Sequence, residues 1–268
     1  MRYDPSGTGD EESNTERSAA QDGRFWEVDA ARGVAIAMMV VYHLTYDLDY
    51  FDGYSIDSTS GVWARFADAT ASAFLFLVGI SLAISYSKAS ATRRGRNLFG
   101  KYLLRGIRIF AYGMILTAVF LVFGMGVVAF GILHLIGVSI ILAYPFLKYR
   151  LVNLFLGLFL VVVGLYVRVQ GFSSESPWLL PFGVVPEDLI MPDYRPLLPW
   201  FGVVLLGLFA GNVVYGGGKR PALFVGKVPV LARPLLPLGR NSLFIYLIHQ
   251  PILVALLAAL GVIQLGFP

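Results

Sequence analysis

Three histidines, a few carboxylates and a set of arginines are the residues of this chain whose types and spacing could carry chemistry. His43, His134 and His249 are all the histidines present, and each falls within a long apolar run. An ionisable side chain in hydrocarbon costs at least about 2.5–3.5 kcal/mol on insertion scales. Such residues therefore face a bundle interior or a cavity, where an imidazole can take or give a proton near neutral pH. Asp29, Arg32, His43 and Asp47 stand at i, i+3, i+14 and i+18, which at about 100° per residue is one face of one helix. A helix turned to lipid could not carry that stripe. Asp47 lies one turn beyond His43, and Asp68 is expected at similar depth on the next helix. His43, oriented by Asp47 or Asp68, is the arrangement that removes a proton from a hydroxyl or amine. His134 and His249 are expected to position substrate or supply hydrogen bonds. The plainer reading makes each histidine an interhelical hydrogen-bonding group and pairs Asp68 with Arg65 or a helix terminus.

Arg32, Arg105, Arg108 and Arg240 are expected to ring one end of the bundle. The planar fork of donors on arginine suits phosphate, so these four are candidate ligands for a phosphate-bearing cytosolic cofactor. Asn241 and Ser242 begin a helix whose N-terminal amides favour anions and join the same set. Topology and anionic lipid are the plainer account of those cations. No metal site is predicted. The chain has no cysteine, which removes disulfides, thiolate nucleophiles and iron–sulfur clusters.

The elements that must position these groups follow from composition. Of 268 residues, 57% are hydrophobic and 14% charged, against roughly 25% charged in an average soluble domain. The apolar residues fall in runs long enough to cross roughly 30 Å of hydrocarbon as helices. Strands in lipid would need a closed barrel. The expected fold is an all-α membrane protein, a polytopic bundle of about seven transmembrane helices at residues 28–48, 62–86, 104–124, 126–146, 150–169, 197–216 and 241–264. Residues 1–23 are polar and expected to form a disordered tail ahead of one membrane domain at 24–268. A Gly124-Met125-Gly126 turn is expected to join the third and fourth spans. With seven spans, 18 of 21 Lys and Arg residues fall on one side, including Arg93, Arg94, Arg96 and Lys227. By the positive-inside rule the N-terminus is then cytoplasmic and the C-terminus outside, in the plasma membrane. The segment at 170–196, with Glu175, Glu187, Asp188 and Asp193, lies outside and is too long for a mere connector.

The segment RFWEVDAARGVAIAMMVVYH at 24–43 resembles the opening of the heparan-α-glucosaminide N-acetyltransferase family in its small prokaryotic branch. Arg24, Asp29, Arg32 and Gly33 carry that likeness. ADATASAFLFLVGISLAIS (67–85), GILHLIGVS (131–139), RPLLPWFGVVLLG (195–207) and GRNSLFIYLIHQPIL (239–253) are further matches in the same order. The resemblance implies acetyl-CoA as a cytosolic acyl donor and transfer to an acceptor at the opposite face, an amino sugar or other glycan. Lysosomal members carry Asn at the place of His43 and a catalytic histidine ahead of Asp68. Here Ser58 stands near that place, and no histidine occurs in 44–133. Either His43 takes the role or this branch does different chemistry.

Three function classes remain open at the level of sequence. An acyl-CoA-dependent transmembrane acyltransferase leads, with the lipid bilayer, acyl-CoA and a saccharide acceptor as partners. A transporter or flippase would use the same His/Asp stripe as a solute path, but no paired halves of the kind many transporters have are visible. A receptor-like or assembly protein would leave the histidines without a purpose. Nucleic acid is not an expected partner; the acyl chain and the oligomeric state, homo-oligomer included, stay open.

Overall fold

A computed structural model of the chain describes residues 24–52, 54, 56–92, 98–122, 128–186, 193–225 and 228–263. The expected tail at 1–23, the Gly124–Gly126 turn, and Arg93, Arg94, Arg96, Lys227, Glu187 and Asp188 lie outside the described residues. The helices are α1 (Trp26–Asp52), α2 (Gly61–Thr92), α3 (Phe99–Val122), α4 (Ile132–Leu142), α5 (Arg150–Gln170), α6 (Leu197–Val214), α7 (Leu235–Arg240) and α8 (Ser242–Ala259). Among the described residues the only β pairing is an isolated bridge between Ser173 and Val185. Six of the helices (α1, α2, α3, α5, α6 and α8) are long and apolar enough to cross a membrane. The chain is an all-α polytopic membrane protein.

The seventh apolar element, expected at 126–146, is a shorter helix of 11 residues, α4. Its end has a local cause. Pro145 has no amide to donate, and the chain tightens into a 3₁₀ turn at Tyr144–Phe146. The carbonyls that this turn leaves open are taken by side chains of its neighbours. Asn153 Nδ2 of α5 donates to Phe146 O at 3.0 Å, and Asn212 Nδ2 of α6 to Leu147 O at 3.2 Å. In hydrocarbon every backbone group needs such a partner.

Helix α6 is the hub, packing against α2, α4 and α5. Its Val204, Leu205 and Leu208 are fully buried against Leu75 and Leu82 of α2 and Leu135 and Ile140 of α4. Helices α3 and α5 lie at the periphery, with Leu104, Ile115, Phe155, Phe159 and Val162 exposed. In a bilayer those faces meet lipid. Helix α1 packs against α2, α7 and α8, which places its polar stripe at a junction of helices. The contact with α7 is backbone to backbone. A Cβ on Gly239 would lie 1.7 Å from Asp29 O, and one on Gly33 would lie 2.2 Å from Leu235 O. Only glycine lets α7 come this near, and the closeness brings Arg240 to Asp29.

Candidate active site

The polar groups collect at two levels of α1. Asp29 and His43 are 14 residues apart, about 21 Å along the helix axis.

At the first level, three arginines converge on one buried carboxylate. Arg32 Nη1 is 3.0 Å from Asp29 Oδ1, while Arg24 Nε and Arg240 Nε are each 3.6 Å from Oδ2. Arg32 also donates to Ser81 Oγ of α2 at 2.6 Å, and Arg105 of α3 lies within electrostatic range of it. Three guanidiniums against one carboxylate leave a surplus of positive charge. Arg24 and Arg240 keep 55% and 37% of their side chains exposed, so that surplus is open to a ligand. This is the donor set a phosphate group fits. Of the residues expected here, the structure brings Arg32 and Arg240 together and sets Arg105 close by. Arg108 is exposed on α3 and not tied to the cluster. Asn241 is the N-cap of α8, which begins at Ser242 as expected. Its amide donates to Pro237 O at 3.1 Å because α7 runs almost directly into α8, leaving Asn241 and Ser242 as a joint.

At the second level, the rings of His43 on α1 and His249 on α8 meet edge to face, 4.7 Å between centroids. Backbone carbonyls hold both. His43 Nδ1 is 3.0 Å from Met39 O, and His249 Nδ1 is 2.7 Å from Tyr246 O. A carbonyl oxygen only accepts, so Nδ1 carries the proton in both rings and Nε2 of each neutral ring has the lone pair. His249 Nε2 is buried and has no hydrogen-bond partner among the described residues. His134 is held the opposite way. The Gly131 amide donates to its Nδ1 at 3.2 Å, which leaves the proton on Nε2, also buried and without a partner. Its ring lies flat over Gly113 of α3, where a Cβ would come within 3.0 Å of it. The pair thus offers two bases, while His134 is a donor packed against Phe110, Phe130 and Gly113, each with its tautomer set by the backbone.

Neither expected carboxylate orients His43. Asp47 is completely buried and accepts from Gln250 Nε2 of α8, while its Oδ2 has no partner among the described residues. Asp68 is drawn the other way. Its carboxylate is 2.7 Å from Arg168 Nη1 and 3.6 Å from Arg195 Nη1, rather than meeting Arg65. The reason is geometric: Asp68 faces the ends of α5 and α6, whereas His43 bends back to its own helix.

A further carboxylate near the histidines is Asp193, from the loop ahead of α6. Its Oδ2 accepts from the Ile132 amide at 3.2 Å and from Tyr246 Oη at 2.9 Å, and it lies within electrostatic range of His43 and His134. It caps the helix that carries His134 and ties it to the helix that carries His249. Gln250, Tyr246, Asp193, Arg168 and Arg195 were absent from the expected set. Tyr246, His249 and Gln250 sit at i, i+3 and i+4, one helical face, a signal that was present. Asp193 had none, because a loop has no periodicity. Replacing Asp193 by Ala is expected to leave the Ile132 amide and the Tyr246 hydroxyl unpaired. The cost is about 1–3 kcal/mol, seen as a lower melting temperature in detergent, with Asp193→Asn losing less.

A cavity of about 480 Å³ opens beside this level, between the C-terminal end of α5 and the start of α6. Arg168, Phe172, Tyr194, Arg195 and Trp200 are among its lining residues. Arg195 sits over the Trp200 ring, 5.3 Å from its centroid. Tyr194 donates to Leu180 O, and burial pushes its hydroxyl up to about 12, so it stays a neutral donor.

Fold and site together define a polytopic membrane protein with a cationic cluster at one level and paired imidazoles at another. The model of the heparan-alpha-glucosaminide N-acetyltransferase catalytic region matches residues 24–251, and the chain belongs to that family. It is a membrane acetyltransferase by that membership. No curated protein and no solved structure matches it significantly.

Proposed function

We propose that this protein transfers an acetyl group from acetyl-CoA, bound at the Asp29 cluster, to an amine or hydroxyl of a saccharide acceptor that reaches the His43–His249 pair from the opposite face. The observation that carries this reading is the pairing of two Nδ1-protonated imidazoles whose Nε2 atoms are bases. Arg24, Arg32 and Arg240 would hold the nucleotide phosphates, with Arg105 adding to the field. Acetyl-CoA supplies a thioester, an acyl group already activated for transfer. The chain then needs a base, an aligned acceptor and a donor for the developing oxyanion.

His43 or His249 would remove the proton of the acceptor through Nε2 as the acceptor's nitrogen or oxygen attacks the acyl carbon; the thioester C–S bond then breaks and CoA leaves as its thiol, protonated by the imidazolium. The second imidazole accepts or returns that proton. Asp193 sits within electrostatic range of His43 and favours the imidazolium formed. His134 offers its buried Nε2–H as a hydrogen-bond donor. Gln250 and Asp47 pin α8 to α1 and so keep His249 opposite His43. Positive-inside counting supports a cytosolic Asp29 level and a histidine level toward the outer leaflet of the plasma membrane. The roughly 21 Å between the levels then asks for a donor with a long, thin arm, which pantetheine provides.

The expected result is that CoA alone stabilises the protein. At a concentration 100 times Kd the gain is about 2.7 kcal/mol, readable as a raised melting temperature. Radiolabelled acetyl-CoA should also release CoA in the presence of amino sugars. Absence of both effects in folded protein would overturn this reading. Proton-coupled solute uptake in proteoliposomes without CoA would favour transport instead.

A further inference from the structure

The cavity beside α5 is lined by cationic and aromatic side chains. Arg168 and Arg195 line it together with Phe172, Tyr194 and Trp200, and no carboxylate is among its lining residues as far as they are described. Behind the two arginines stands Asp68, shared between them at 2.7 and 3.6 Å. One carboxylate against two guanidiniums leaves a positive charge facing the cavity. Asp193, a further acid near by, turns its Oδ2 to the Ile132 amide and Tyr246. Arg168 has 58% of its side chain exposed, so donors that Asp68 does not engage are accessible. Trp200 is buried beneath the Arg195 guanidinium and holds it in place, while Phe172 is 50% exposed and offers an apolar face of the kind a sugar ring packs against. The volume falls within the range of small-molecule sites, about 300–1,000 Å³.

From these features we infer that the cavity binds an anionic sugar, its oxyanion on Arg168 and Arg195 and its ring against Phe172. A guanidinium fork matches carboxylate and phosphate alike, so the shared chemistry is one sugar ring bearing one oxyanion. Location allows two sources. Arg168 is close to the C-terminal end of the 21-residue α5, a helix just long enough to span the hydrocarbon. The cavity therefore lies at head-group level, open to a soluble sugar acid or to a glycolipid head. That this ligand is the acetyl acceptor rests on the proposed transfer; that it binds does not.

The test uses the full chain in phosphatidylcholine nanodiscs, with glucuronate as probe and glucose as its neutral counterpart, by calorimetry. Glucuronate is expected to bind at least tenfold more tightly than glucose. Arg168→Gln should remove that preference, and Phe172→Ala, an exposed position that folding does not need, should weaken both sugars several-fold. Phosphatidylinositol added to the discs separates the sources. Competition with glucuronate assigns the site to a lipid-borne head group, and no competition assigns it to a soluble sugar, either result upholding anionic recognition. Equal binding of glucuronate and glucose, or unchanged glucuronate affinity in Arg168→Gln with the fold intact, would overturn the inference. CoA binding is measured on the same discs. If CoA binds and glucuronate does not, the cavity assignment fails alone; if glucuronate binds and CoA does not, the transfer reading fails and the cavity assignment stands.

Discussion

Replacing His43 by Ala is expected to lower acetyl transfer by about 10²–10⁴-fold, the usual contribution of a positioned general base. The size follows from what the ring does. Its Nδ1–H is anchored on Met39 O, so Nε2 points its lone pair away from the backbone with little freedom to lose on reaction. His249 faces it at 4.7 Å between centroids. If the two share the proton, His249→Ala should cost a similar factor, and the double variant little more than either single one. Groups that act as a unit are strongly non-additive. Purely structural histidines would behave differently. Each substitution would then lower the melting temperature, with activity falling only in step with the folded fraction. The deciding measurement is turnover of labelled acetyl-CoA per folded molecule, with added imidazole as a rescue. Unchanged turnover in His43→Ala removes that residue from the chemistry, and rescue by imidazole of His43→Ala but not of His134→Ala would separate base from donor.

The second large effect concerns Asp29. Its side chain is 6% exposed and faces Arg24, Arg32 and Arg240. Removing one partner of a buried ion pair costs about 3–5 kcal/mol, because the other charge is left unpaired. Two of the three arginines reach solvent and are screened, so about 2–3 kcal/mol is expected for Asp29→Ala. The same change removes the only anion of the cluster that competes with a phosphate. Asp29→Ala should therefore melt earlier yet bind CoA at least as tightly, whereas Arg32→Ala should bind it about 10–100-fold more weakly, the equivalent of one lost charge-assisted contact. Two readouts moving in opposite directions distinguish a ligand site from a structural knot. If Arg32→Ala binds CoA as the wild type does, the cluster is a structural joint between α1, α2 and α7.

How much of this was legible beforehand depends on the kind of pattern each feature needs. The membrane bundle was legible, because crossing hydrocarbon requires runs of apolar residues and nothing else in a chain of 268 residues produces six of them. The polar face of α1 was legible too, since Asp29, Arg32, His43 and Asp47 repeat with the helical period. So was the likeness to the acetyltransferase family, carried by segments spread from Arg24 to Leu253, with the family match covering residues 24–251. These are properties of one helix, or of order along the chain.

Partnerships between helices were not. That His43 would meet His249 rather than Asp68 depends on how α1 and α8 are rotated against each other. That Asp68 would pair with Arg168 and Arg195, 100 and 127 positions away, depends on the packing of α5 and α6. Asp193 comes within electrostatic range of His43 and His134 because its loop docks just ahead of α4, where the Arg195 amide donates to Phe130 O at 2.9 Å. Hydrophobic period tells which face of a helix turns inward; it carries no information about which helix is met there. Rotation and neighbour are set by close packing at points such as Gly33 and Gly239, where backbone touches backbone. Tertiary structure alone decided which charges of this chain share a site.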